Sequence, residues 1–170
     1  NGEISVLDEG IHLSNGLGFS RDNSLLYYTD SVARSIYRYQ YDLKRGTVSN
    51  KSKFINVPHT EGIPDGLTVD DEDYVWSAQW YGGCIIRYDP DGVVNRKIEI
   101  PAKQVASLTF GGNEMTDIYI TTASENWKSP VAPPGYDYEK GNIGGQLYRC
   151  NTGIKGKPDY YALPEFKINK

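Results

Sequence analysis

The chain is poor in the residues that usually advertise chemistry. Its 170 residues include one Met and only two His and two Cys. His12 and His59 form no HxxxH-type pair, which argues against a His-rich zinc site within the chain. Cys84 and Cys150 match no metal or redox spacing, so they read as free thiols kept in a reducing, cytoplasmic compartment. No run approaches the ~18 apolar residues of a membrane span. The formal net charge of −4 gives no pull toward nucleic acid or an anionic membrane, and neither is expected as a partner. There is no Gly-x-Ser-x-Gly elbow and no triad-like grouping of Ser, His and Asp, so a covalent nucleophile is not indicated. The sequon at Asn50-Lys51-Ser52 is too common a pattern to argue for secretion.

What the chain has in quantity is Tyr, with 14, and turn formers, with 18 Gly and 9 Pro scattered along its length. That mixture suits many short strands joined by turns. The length suits one domain with a sizeable core. Residues Glu3-Ile4-Ser5-Val6-Leu7 read as a strand arriving from elsewhere, and the start at Asn1-Gly2 without Met suggests the later part of a longer protein.

A repeat organises the rest. "NGLGFSRDNSLLYYTDSVARSIYRYQYD" starts at Asn15, "DGLTVDDEDYVWSAQWYGGCIIRYDP" at Asp65, and "ASLTFGGNEMTDIYITTAS…GGQLYRCN" at Ala106. Each unit has a short apolar strand, a polar turn, a β-branched or aromatic strand, a small connection, and a strand ending in a Tyr/Ile-Arg-Tyr/Cys pattern. Fourth strands are expected at Lys53–Val57, Asn95–Ile100 and Asp159–Leu163. Four antiparallel strands at a period of about 40–50 residues are the signature of a β-propeller blade. Strands such as "LLYYTD" and "CIIRYD" are apolar on both sides, as blades packed face to face require; a β-sandwich would leave the repeat unexplained. The expected fold is all-β. Residues 1–10 would hold the last strand of a preceding blade, and 11–58, 59–101 and 102–165 would form three blades. Three blades do not close a ring, so missing N-terminal blades or a second copy are expected to complete it.

Aligning the units places Asn15, Asp65 and Ala106 at one position, just before each innermost strand. Innermost strands line a propeller's channel, so Asn15 and Asp65 would converge from neighbouring blades. A carboxylate beside an amide carbonyl suits a hard cation such as Ca²⁺. Both motifs also have an ordinary reading: Asn-Gly is a hairpin signal, and Pro64-Asp65-Gly66 is turn chemistry. The second Pro-Asp-Gly, at Pro90-Asp91-Gly92, follows "RYD" where a hairpin is needed, whereas the first feeds directly into "LTV". Antiparallel running brings Asp30-Ser31, Gln79-Trp80-Tyr81 and the segment after "IYITTA" to the same mouth as Asp65. Ser31, Trp80 and Tyr81 are thus substrate-pocket candidates. Trp127 is a weaker one, and Trp76, mid-strand, reads as core. The 21-residue stretch Ser124–Gly144 reads either as a lid or as plain disorder.

"SNGLGFS", "YYTDS", "IPDGLTVD", "GGCIIRYDPDG" and "LTFGG" resemble, in order, the signature run of the regucalcin/gluconolactonase family, which includes the luciferin-regenerating enzymes. The resemblance covers nearly the whole chain. It implies a six-bladed propeller holding one divalent metal, usually Ca²⁺, with Zn²⁺, Mn²⁺ or Mg²⁺ as alternatives. It assigns the metal to Asn15 and Asp65 and the role of catalytic base to Asp65. The family's third ligand, a Glu from the first blade, has no counterpart here. The implied activity is metal-dependent hydrolysis of a small-molecule lactone. The rival readings are a calcium-binding regulatory protein without turnover and an inactive propeller scaffold.

Overall fold

The structure, a computed structural model, describes residues 4–125 and 127–158. Among these residues there is no helix, and eleven strands form three antiparallel sheets. The first sheet runs in the order β1 (Ser14–Phe19), β2 (Leu25–Asp30), β3 (Ser35–Asp42), β4 (Thr47–Asn56). The second runs β5 (Ile63–Val69), β6 (Val75–Trp80), β7 (Cys84–Tyr88), β8 (Val94–Glu99). The third pairs β9 (Val105–Gly111), β10 (Asp117–Thr122) and β11 (Leu147–Asn151). The expected fourth strands at Lys53–Val57 and Asn95–Ile100 correspond to β4 and β8. The one at Asp159–Leu163 lies outside the described residues.

Strands β5–β7 of the second sheet are buried on both faces, as their unalternating sequence demands. One face packs Val75, Ile86 and Tyr88 against Tyr27, Ile36 and Ile55 of the first sheet. The other packs Trp76, Ala78 and Ile85 against Leu108, Ile118 and Ile120 of the third. Each large side chain so buried contributes about 1.5–3 kcal/mol. Trp76 is core, fully buried, and its indole N–H donates to Asp70 Oδ2 at 2.8 Å. The same carboxylate oxygen accepts from Arg87 Nε at 2.8 Å, and Asp70 Oδ1 accepts from the amides of Glu72 and Tyr74. This buried network locks the end of β5 remote from Asp65.

The segment before β1 departs from expectation: residues 4–10 form no strand. A strand needs a ladder partner, and the described residues offer it none. The segment instead crosses the first sheet, where Asp8 accepts from the Tyr39 hydroxyl and Lys51 Nζ, both at 2.6 Å. Val6 and Leu7 line a hollow there with Leu17, Leu26 and Tyr28.

The three inner strands share one irregularity. β1 slips register against β2 between Ser14 and Leu17, β5 against β6 between Pro64 and Leu67, and β9 against β10 between Val105 and Ser107. Each slip inserts one extra residue, the mark of a β-bulge. Asn15-Gly16, Asp65-Gly66 and Ala106 occupy the three bulges, which bears out their alignment in the repeat. Asn15-Gly16 is therefore no hairpin turn. A Cβ on Gly16 would lie 2.6 Å from the Asp65 carbonyl oxygen, and one on Gly66 would lie 2.6 Å from Ser107 Cβ. The glycines are what allow the inner strands to touch. By contrast, Pro90-Asp91-Gly92 does form a turn between β7 and β8, with Gly92 at φ +84°.

Gly66→Ala must push β5 off β9, and overpacking of this kind costs about 1–3 kcal/mol. Urea unfolding is expected to show a loss of about that size. An unchanged midpoint would mean that the inner strands can separate freely.

Candidate functional site

The bulges aim Asn15 and Asp65 into one cavity of about 200 Å³, walled by Leu13, Asn15, Ser31, Ile63, Asp65, Trp80 and Trp127. Asp65 is 9 % exposed, whereas Asn15 is open to solvent. The Asn15 amide donates to Ser31 Oγ at 3.3 Å and also faces the Asp65 carboxylate. Burial pushes the Asp65 carboxyl up to about 7, and the Asn15 amide offsets only part of this. No cationic side chain pairs with Asp65 among the described residues. A buried carboxylate helped only by a neutral amide is short of positive charge.

That deficit, with two oxygen-bearing side chains facing one cavity, fits a hard divalent cation. Among the described residues no group of three His, Cys, Asp or Glu side chains gathers. The residues present would thus hold such an ion from one side only.

Asp30 fixes the approach to Asn15. Its buried carboxylate accepts from the amides of His12 at 3.0 Å, Leu13 at 3.2 Å and Ala33 at 3.1 Å, and His12 Nδ1 lies 3.0 Å away. Burial opposes ionisation here, but these hydrogen bonds outweigh it and hold the carboxyl below its ordinary value. Ser31, next in the chain, is buried and lines the cavity.

Trp80 forms a wall of the cavity, with its ring centroid 6.4 Å from that of Trp127. Tyr81 does not line it. With φ at +67°, its ring meets that of Trp80 edge-on at 6.1 Å and packs 4.6 Å from the Tyr136 ring. Its hydroxyl donates to the Trp127 carbonyl. Leu13 and Ile63 were not legible as wall residues, because short aliphatic side chains at strand ends look like ordinary core.

Trp127 arrives on the stretch between β10 and β11, which is tied down rather than loose. Lys103 N and Gln104 N donate to the carbonyls of Asn142 and Ile143, and Gln104 Nε2 donates to those of Ala123 and Glu125. Arg34, 3 % exposed, spends its guanidinium entirely on main chain: its donors reach the carbonyls of Val57, Pro58, Glu61, Gly62 and Val131. It thereby fastens this stretch to the loop before β5.

Repeated antiparallel sheets whose inner strands meet edge to edge define a propeller-type protein. The chain belongs to the SMP-30/Gluconolactonase/LRE-like family, whose model matches residues 1–124. It is 36% identical over 160 residues to a pentonolactonase of Haloferax volcanii, covering 94% of this chain and 54% of that protein. It is 40% identical over 151 residues to regucalcin of Danio rerio, covering 88% and 50%. Among solved structures it is similar to a calcium-binding regucalcin of Agrobacterium tumefaciens, with TM-score 0.78 and 27% identity, covering 95% of this chain and 52% of that one. A luciferin-regenerating enzyme matches with TM-score 0.75 and 31% identity over 86% of this chain and 47% of its own. The chain spans about half the length of the curated relatives it matches. Cys84 and Cys150 are free thiols. No helix among the described residues is long and apolar enough to cross a membrane.

The depressed Asp30 carboxyl adds stability that is complete above the unfolded value near 4 and is lost as pH falls through the lower folded value. Asp30→Asn is expected to cost about 1–3 kcal/mol at pH 7 and to flatten the loss of stability below about pH 4. Urea unfolding at several pH values checks both.

Proposed function

We propose that this chain supplies the metal-holding wall of a lactonase that opens a sugar lactone or related ester. The observation that carries the reading is the convergence of Asn15 and a buried, cation-deprived Asp65 on a walled cavity. Asn15 and Asp65 would hold one divalent ion, Ca²⁺ by analogy with the calcium-binding relative. Such an ion, when bound, supplies a Lewis acid for the lactone carbonyl. Asp65 is the base toward water by its place in the cavity, where a bound cation would keep it in the ionised form that accepts a proton. Ser31 orients the Asn15 amide, and the indoles of Trp80 and Trp127 exclude solvent and offer a flat face to the ring. Tyr81 acts at one remove, by holding the Trp127 main chain. The pentonolactonase among the relatives supports this chemistry.

Asp65→Ala is expected to lower hydrolysis of glucono-δ-lactone, followed by pH-stat with Ca²⁺, Zn²⁺ or Mn²⁺ present, by at least about 100-fold. If the wild type binds Ca²⁺ through Asp65 yet hydrolyses no lactone, a regulatory calcium-binding role replaces the enzymatic one. If it does neither, the scaffold reading stands.

We further propose that residues 11–58, 59–101 and 102–165 are three blades of a six-bladed ring, completed by further blades or a second copy. Leu17, 54% exposed on the first sheet, and Leu147, 70% exposed on the third, support the existence of faces that await neighbours. Sedimentation is expected to show association of this chain. A compact, non-associating monomer of 19.1 kDa would count against the incomplete ring.

A further inference from the structure

We infer that Arg34 is a positioning residue: one buried guanidinium sets where the walls of the Asn15–Asp65 cavity stand relative to one another. The chain reaches that cavity in separate segments. Ser31 comes on the turn between β2 and β3, Ile63 and Asp65 on β5, Trp80 at the end of β6, and Trp127 on the stretch after β10. Segments so distant in sequence keep one mutual geometry only if something joins them, and Arg34 reaches every one of them.

Arg34 belongs to the Ser31 turn, where its amide donates to the Ser31 carbonyl at 3.1 Å. Its Nη2 donates to the carbonyls of Pro58, Glu61 and Gly62, the last at 2.8 Å and immediately before Ile63. Gly62 in turn lies against the connection after β6: a Cβ there would stand 2.6 Å from Gly82 N and 2.7 Å from the Trp80 carbonyl oxygen. Nη1 points the other way and donates at 2.9 Å to the carbonyl of Val131, a short distance along the chain from Trp127.

Two features separate this arginine from an ordinary core residue. It is 3% exposed, yet no carboxylate forms an ion pair with it among the described residues. Burial works against its charge, and the attraction of Glu61 offsets only part of this, so the carbonyl oxygens must satisfy the guanidinium. Its φ of +54° is also a backbone conformation that a large side chain adopts at a cost. Strain and a buried charge at one residue mark a place where function has been built in. Lysine cannot take over, because an ammonium is a point donor, whereas the planar fork serves carbonyls on two sides at once. The consequence for turnover rests on the lactonase reading; the placement of the walls does not.

Hydrogen exchange of Arg34→Ala and Arg34→Lys, read by mass spectrometry, tests the proposal; the lysine variant keeps a buried cation should the alanine variant fail to fold. Exchange is expected to rise by about tenfold or more over residues 59–62 and 127–132, as for the loss of a charge-assisted hydrogen bond, while β6 and β7 keep their protection. Methylguanidinium added to Arg34→Ala should reverse the rise and methylammonium should not, a distinction that a general loosening of the fold would not make. The proposal is overturned if the two segments exchange as in the wild type, if exchange rises equally through all three sheets, or if the two cations rescue alike. Should the rescue pattern hold while the wild type hydrolyses no lactone, the lactonase reading falls and Arg34 keeps its role.

Discussion

Contact between neighbouring inner strands is the constraint on which the rest of the molecule depends. Two side chains fifty positions apart can share a cavity only if their backbones nearly touch, and a single Cβ at Gly16 or Gly66 would prevent it. The bulge then does the aiming. An extra residue in each inner strand turns Asn15 and Asp65 out of the pleat and toward one another. In the third sheet the same bulge carries Ala106, which points the geometry at the axis without adding a polar group. The Asn-Gly and Asp-Gly pairs thus combine two functions, a polar side chain and permission for its neighbour to approach.

The burial that follows from this contact creates the electrostatic character of the site. Asp65 sits among Leu13, Ile63 and two indoles, with one neutral amide for company. At the other end of β5, Asp70 is also fully buried but is matched by Arg87, by the Trp76 indole and by two backbone amides. The two aspartates lie on the same strand or just beyond it, and one is saturated while the other is not. A saturated carboxylate holds a structure together. An unsaturated one is available to a cation or a proton.

Much of this was legible in the sequence because it rests on periodicity. The strand count per unit, the equivalence of positions 15, 65 and 106, and the core role of Trp76 follow from local pattern and from comparing the repeat with itself. Three things did not follow. Residues 4–7 have the composition of a strand, but a strand is defined by its partner, and sequence pattern is silent about partners. Trp80 and Tyr81 are adjacent, and the sequence treats both as facing the mouth. The two rings stay in edge contact, but the left-handed backbone of Tyr81 lets only Trp80 wall the cavity, and a non-glycine residue gives no warning of such a conformation. Trp127 was underrated because its stretch has no periodicity. Its position is set by long-range hydrogen bonds from Gln104 and Arg34 to main-chain carbonyls, which no side-chain pattern in the stretch records.

The way Arg34 makes its bonds carries a consequence for how such a protein diversifies. Because the guanidinium grips only carbonyl oxygens, it is blind to which amino acids carry them. The side chains of the stretch that carries Trp127 can be exchanged without loosening the clamp, provided that the course of the main chain is kept. Recognition and anchorage are thereby decoupled: new ligand preferences can be explored in a roof whose attachment is already secured.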